Sequence, residues 1–390
     1  MDFEFNESQL AVRDAVQRIC DRFPDEYWLE KDNKHEFPHD FARAFADAGF
    51  LGIVVPEEYG GSGLGMTEAA IMMQTIAESG ACLAGCTSIH VNVFVPGSIL
   101  KYGTPEQRQR WIPRLMTLED RSAFGVTEPD AGVDTTHNKV RAEWDPQRGK
   151  YIVSGQKIWM STAQIANKVM LLVRTTPIEQ CKRPIDGLSL FYTDLNRDFA
   201  EIRPIAKMGR HAVDSNSVFF DGMPVPKEDL IGEEGKGLYH LFDSLNPERL
   251  LVAVECVGMG RAALRRASAY AQERIVFNRP IGMNQAVQHP LAANWCKLEA
   301  ANLMAYKAAS LYDSGKPAGI EANAAKWLAA EAGFEACEQA ILTHGGMGYA
   351  QEYHVERYLR EVQVLRITPI TGPLILSHIA ERVLGLPKSY

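Results

Sequence analysis

The residue texture of this chain changes twice, and the order of the changes limits the possible folds more than any single motif does. Up to about residue 120, apolar residues recur at helical spacing. In SQLAVRDAVQRICDRF, Val12, Val16, Ile19 and Phe23 lie three or four apart. In HDFARAFADAG, Phe41 and Phe45 share a face and Gly49 supplies a C-cap. Thr104, Pro105 and Gln107 form a capping-box pattern with proline at the first helical position. From about 121 to 230 the chain carries β-branched and aromatic runs, YIVSG, KVMLLVRTT, GLSLFYT and NSVFFDGM. Turn residues separate them, such as DPQRGK between two expected hairpin strands. Helical periodicity returns after EEGKG (233–237). Asn246 is the expected N-cap and Pro247 the first residue of a helix reaching about Phe277, with further helices expected over 285–313 and 320–343. Long helices joined by short loops predict a bundle. The order helix, sheet, helix argues against a doubly wound α/β fold and for a mainly α chain with a middle β-domain. The expected domains are an N-terminal helical domain (1–120), a small antiparallel β-barrel or sandwich (121–230) and a C-terminal helical bundle (231–390).

Composition narrows the function classes. The 390 residues are 46% hydrophobic, enough for two or three substantial cores. A net charge of −8 with no long basic run makes nucleic acid an unexpected partner. The opening MDFEFNESQLAVRDAV mixes charges early, unlike a signal or transit peptide, and no run reaches the ~18 consecutive apolar residues of a membrane span. A soluble, cytoplasmic protein is expected. Seven scattered cysteines without zinc-ligand spacing favour reduced thiols, and Cys82 and Cys86, four apart, are expected to be buried on one helix face.

Two stretches suggest chemistry. FGVTEPDAGVDTTHNKVRAEW (124–144) places a threonine, an acid and a proline before a turn of small residues, which exposes backbone N–H groups. GQKIWMSTA (155–163) is a strand presenting Trp159, Ser161 and Thr162. Taken alone, each reads first as an ordinary surface turn or a half-buried strand end. Together, and in register with HAVDSNSVFFDGMPVPKEDLIGEEGKG (211–237), QERIVFNRPIGMNQAVQHPLA (272–292), THGGMGY (343–349) and VERYLRE (355–361), they resemble the acyl-CoA dehydrogenase family over nearly the whole chain.

The resemblance implies an FAD-dependent enzyme, usually a homotetramer, that removes the proton α to a thioester while hydride leaves Cβ for the flavin. It implies that Val126 and Thr127 contact the flavin's pyrimidine end, that Trp159 packs by the ring, and that Ser161 replaces the usual threonine near N5. Arg274, Phe277 and Gln285 match positions that hold the adenine end, from a neighbouring subunit. Gly345 and Gly346 match the pyrophosphate approach, and Thr371 a threonine close to the cofactor. Val133 stands where a serine commonly contacts the CoA chain, and Asn246 and Arg249 match positions lining the CoA and acyl entrance.

The family's general base needs separate treatment. Many members carry it as Glu in a Y-E-G-T segment, but this chain reads T-P-I-T, with Pro369 at that place. A minority, including isovaleryl- and long-chain-type enzymes, take the base from the long helix in a pattern x-x-E-R-[LI]. SLNPERLLVA (244–253) supplies it, so Glu248 is the expected base. An ordinary first-turn glutamate, favoured by the helix dipole, is the competing reading. Proline has no N–H, so a donor to the thioester carbonyl is lost at 369. Such a donor is worth about 2.7–4 kcal/mol. Glu128 and Glu361 are expected to be structural, and His289 and His344 to make local hydrogen bonds. The expected activity is α,β-dehydrogenation of an acyl-CoA, with an electron-transfer flavoprotein as acceptor. The alternatives are an oxidase or elimination reaction at the same site, which the missing donor at Pro369 motivates, or a catalytically silent flavin- or acyl-CoA-binding protein.

Overall fold

A computed structural model describes residues 4–389, with the side chains of Ser244 and Asn246 outside that description. The N-terminal part holds α1 (Glu7–Cys20), α2 (Asp25–Lys34), α3 (His39–Asp47), α4 (Met66–Ile76), α5 (Cys82–Tyr102) and α6 (Pro105–Met116). α1 ends at Cys20, so Phe23 follows the helix and packs edge-on against Phe41, with ring centroids 5.2 Å apart. The reading of Phe23 as a fourth helical position is therefore corrected. Gly49, at φ 79°, turns the chain just after α3. Thr104 and Gln107 close the capping box at the start of α6.

The stretch Met66–Tyr102 is long and apolar enough to cross a membrane, but 89% of its most apolar window is buried inside the protein. It is interrupted by a π-helical segment, Ala77–Ala81, in which Gly80 is non-helical at φ 104°. This segment is a core element. Cys82 and Cys86 are buried within it, and burial pushes both thiols up.

The middle region forms one eight-stranded sheet. Its strands are β1 (Ser122–Gly125), β2 (Arg141–Asp145), β3 (Lys150–Ser161), β4 (Lys168–Arg174), β5 (Leu188–Asp194), β6 (Ala200–Pro204), β7 (Ser215–Pro226) and β8 (Leu230–Ile231). The order is β6-β7-β3-β2-β4-β5-β8, with β1 paired to β4. Pairing is mostly antiparallel, but β4 runs parallel to both β1 and β2. β2 and β3 form the expected hairpin, with Asp145 opposite Lys150. Alternation along β4 builds two cores. Val169, Leu171 and Val173 join Val153, Phe191 and Val218 inside the β-domain. Met170 and Leu172 face Phe94, Trp111 and Leu115 of the helices.

The C-terminal bundle is α7 (Gly237–Glu273), α8 (Gln285–Asp313) and α9 (Gly319–His344), followed by α10 (Val355–Val362) and α11 (Gly372–Arg382). A small hairpin, β9 (Ile275–Val276) with β10 (Arg279–Pro280), links α7 to α8. The boundaries of α7 differ from the sequence reading. The helix begins at Gly237, not at an Asn246 N-cap; Pro247 is internal, and the end is Glu273 rather than Phe277. Proline is unfavourable inside a helix. Here Leu238 and Leu241 pack into the core shared with Leu188, Leu190 and Ile231, and that burial holds the turns before Pro247 in helical form. The small residues of α9 let α7 approach closely. A Cβ on Gly333 would stand 2.7 Å from the Cys256 carbonyl oxygen.

Candidate functional site

The 124–144 segment is tied to β3. Lys157 Nζ donates to the Val126 carbonyl at 3.0 Å and to Glu128 Oε1 at 2.8 Å. Ile158 N donates to the Thr127 carbonyl at 3.0 Å. Glu128 is buried and also accepts from the backbone N–H groups of Lys139 and Val140. Burial brings the Lys157 ammonium down to about 8. These bonds set Val126 and Thr127, both half-buried, beside the end of β3. There the ladder to β7 shifts register between Lys157 and Met160. A bulge of this kind re-aims side chains. It leaves Trp159 at φ 61° with 55% of its surface exposed, an unusual position for a large apolar ring. Two residues on, Ser161 Oγ accepts from Arg210 Nη2 at 3.0 Å. Val133 lies on the neighbouring turn, exposed.

Arg210 leads to the helices. Its Nη1 reaches Thr87 Oγ1 on α5 at 3.4 Å. One turn further along α5, His90 Nδ1 meets Glu255 Oε1 of α7 at 2.7 Å. Glu255 lies seven positions after Glu248, about two turns and ~10 Å along one helix face. Burial raises the Glu248 carboxyl pKa; the charges of His90 and Arg249 oppose the rise and that of Glu255 adds to it. Three buried polar atoms, Glu248 Oε2, Glu255 Oε2 and His90 Nε2, have no hydrogen-bond partner within the protein. Buried polar atoms are normally satisfied, so these mark where a ligand's polar groups or water belong. Glu248 is not in a first helical turn, since α7 begins eleven residues before it. The dipole reading is overturned, and desolvation dominates.

Arg249 is partly buried, and its charge acts on Lys326 and on His378 of α11. Lys326 Nζ donates to the Ile370 carbonyl at 2.8 Å, fixing the TPIT loop that carries Pro369 and Thr371 against α9. Burial draws this ammonium down to about 8. The side chain of Asn246 lies outside the described residues.

The remaining predicted positions form a second set around the β9–β10 hairpin and the end of α9. Phe277 and Asn278, at φ 51° and 63°, make the turn of the β9–β10 hairpin, and Phe277 is 94% exposed. Arg274 and Gln285 are exposed beside it. Tyr270 stacks on His344 at 4.4 Å, which brings the end of α7 next to Gly345 and Gly346. Both glycines have open space where a Cβ would stand, and Gly345 sits at φ 60°. His344 Nδ1 makes a local bond to the Ala340 carbonyl at 2.7 Å, and His289 is exposed. Among the described residues, no hydrogen bond or ring contact links this second set to Val126, Thr127, Trp159 and Ser161.

Sequence reasoning missed His90, Glu255 and Arg210. For the first two a signal existed: IHVNVF holds one histidine and LLVAVECVGMG one carboxylate in an apolar helical run, which means burial. Their pairing across α5 and α7 is tertiary and has no local trace.

Family models match three consecutive regions: acyl-CoA dehydrogenase N-terminal domain over 6–119, middle domain over 123–223 and C-terminal domain over 235–384. The chain is 36% identical over 400 residues to acyl-CoA dehydrogenase fadE12 of Mycobacterium bovis, covering 99% of this chain and 98% of the relative. The solved structure of a glutaryl-CoA dehydrogenase glutaryl-CoA complex superposes with TM-score 0.93 at 31% identity, covering 100% of this chain and 98% of that one. A relative named acryloyl-CoA reductase (NADH), from Anaerotignum propionicum, is 30% identical over 98% of this chain and 96% of its own. The chain belongs to the acyl-CoA dehydrogenase family of FAD-dependent oxidoreductases.

Proposed function

We propose that the protein dehydrogenates an acyl-CoA thioester between Cα and Cβ, with Glu248 as the base that takes the α-proton. The observation that carries this reading is the carboxyl of Glu248 on α7, whose Oε2 is buried and has no hydrogen-bond partner within the protein. A base stripped of water holds its proton more tightly once it has it, which suits removal of a weakly acidic α-proton. FAD, when bound, supplies the acceptor for the hydride that leaves Cβ. The residues present fit that group. Val126, Thr127 and Trp159 offer backbone and an exposed ring to the flavin, and Ser161 a hydroxyl to its N5 edge. Gly345 and Gly346 leave room for phosphates, and Arg274, Phe277 and Gln285 suit the adenine end. Because no hydrogen bond or ring contact joins these two sets among the described residues, the second is assigned to a neighbour's site in a homotetramer. Thr371, within the pinned TPIT loop, is proposed to lie close to the cofactor, with Val133 and Arg249 at the CoA and acyl entrance. Pro369 donates nothing, so the thioester carbonyl takes its hydrogen bonds from other groups. An electron-transfer flavoprotein is the proposed acceptor.

Glu248→Gln tests the assignment. It keeps the side-chain shape but cannot accept the proton, so flavin reduction by an acyl-CoA should slow by at least about 10²-fold while FAD and CoA binding persist. A variant that reduces its flavin at the wild-type rate would show that the base is elsewhere.

A further inference from the structure

Arg210 is a half-buried cation whose guanidinium is hydrogen-bonded by neutral groups. Its guanidinium donates to three hydroxyls: Ser215 Oγ at 2.9 Å, Ser161 Oγ at 3.0 Å and Thr87 Oγ1 at 3.4 Å. No carboxylate forms an ion pair with it among the described residues. Asp214, Glu255 and Glu361 act on it only at longer range. The Lys207 ammonium lies against the carbonyls of Gly209 and Arg210, adding a second positive charge. Buried cations are ordinarily paired with an anion, because desolvating an unpaired charge is costly. This one is aimed at Ser161, at the end of β3, beside the bulge that exposes Trp159.

We infer that Arg210 is a positioning and charge-tuning residue for the flavin: it fixes the Ser161 hydroxyl and supplies the positive charge that favours the reduced cofactor. The inference rests on the proposed placement of Ser161 at the flavin's N5 edge. Since Ser161 Oγ accepts from the guanidinium, its own hydrogen is directed away from Arg210, as a donor. In the proposed reaction the Cβ–H bond breaks with its electron pair and a hydride joins the flavin. The proton on Cα passes to Glu248, and the Cα–Cβ double bond forms. A hydride carries two electrons and one proton, so a bound flavin that accepted it would take on one negative charge in all. Arg210 exchanges no proton; its charge stabilises that added negative charge in a site where screening is weak.

The test is spectroelectrochemical titration of FAD-loaded wild type, Arg210→Gln and Arg210→Lys, without substrate. Arg210→Gln should lower the reduced-to-oxidised ratio at the wild-type midpoint by tenfold or more, about 30 mV for a two-electron couple. Arg210→Lys, which keeps the charge, should recover most of that loss. A Gln variant within twofold of wild type overturns the inference, and so does a Lys variant that falls as far as Gln. If Arg210→Gln does not load FAD, Arg210→Met replaces it, with the same two outcomes. Because no acyl-CoA is used, the result is independent of the base assignment. A wild-type protein that takes up FAD but is not reduced by acyl-CoA would defeat the proposed function and leave this comparison intact.

Discussion

Glu248 shows how one residue's role depends on what surrounds it. The Glu-Arg pair is legible in the sequence, but its environment is not. A helix starting at Asn246 would have bathed the carboxyl in the favourable end of a dipole. The observed α7 starts at Gly237, so that influence is gone and burial lifts the carboxyl instead. The consequence is a pH dependence. The base works only when deprotonated, so the rate of flavin reduction should fall as pH drops through its raised pKa. That limb should lie above the ~4.3 of an ordinary glutamate. Single-turnover reduction followed from pH 4 to 9 would reveal it. A rate that stays level to the bottom of that range would mean that Glu248 is not titrating as the base. Ser161 and Trp159 were legible as a strand end. Their presentation depends on a register shift against β7, which no local pattern encodes.

Between elements, the His90–Glu255 contact ties α5 to α7 inside the core. Burial works against the imidazolium, but the charge and hydrogen bond of Glu255 outweigh it and hold the His90 pKa above its usual 6.5. A raised histidine pKa contributes stability that is fully present below the unfolded value and is lost as pH rises through the folded one. Removing one partner of a buried pair costs about 3–5 kcal/mol. Glu255→Gln should therefore lower the thermal midpoint at pH 6, and the gap to wild type should narrow as pH rises above 7. Equal loss at every pH would mean that the pair is not charged. The helices and strands themselves were largely readable, since period and turn chemistry are local. The start of α7 was not, because Leu238 and Leu241 are held helical by the β-domain core, which lies across the molecule. The capping box at Thr104 was read correctly because every atom that makes it lies within four residues.

At the scale of the whole molecule, the helix–sheet–helix order and the family were both legible, and the homotetramer implied by the resemblance is a proposal. The bundle leaves large apolar groups in water: Phe277 on the hairpin, Trp295 and Leu303 on α8, Leu342 on α9 and Tyr349 after it. Trp295 also borders an open cleft of about 570 Å³ with Leu264, Leu291 and Arg261, well removed from Glu248. A monomer rarely exposes such surface without a partner. Light scattering of the FAD-loaded protein should give four times the mass of one chain, and a fully active FAD-loaded monomer would contradict the assignment of Arg274, Phe277 and Gln285 to a neighbour's site. The central claim, that the site at Glu248 oxidises an acyl-CoA, is tested most directly by anaerobic titration of the bound FAD with a panel of acyl-CoA thioesters while product is counted. For at least one thioester the account predicts bleaching of the flavin with one 2-enoyl-CoA formed per FAD reduced. Flavin that stays oxidised across the panel, or that bleaches without an enoyl-CoA product, would contradict it.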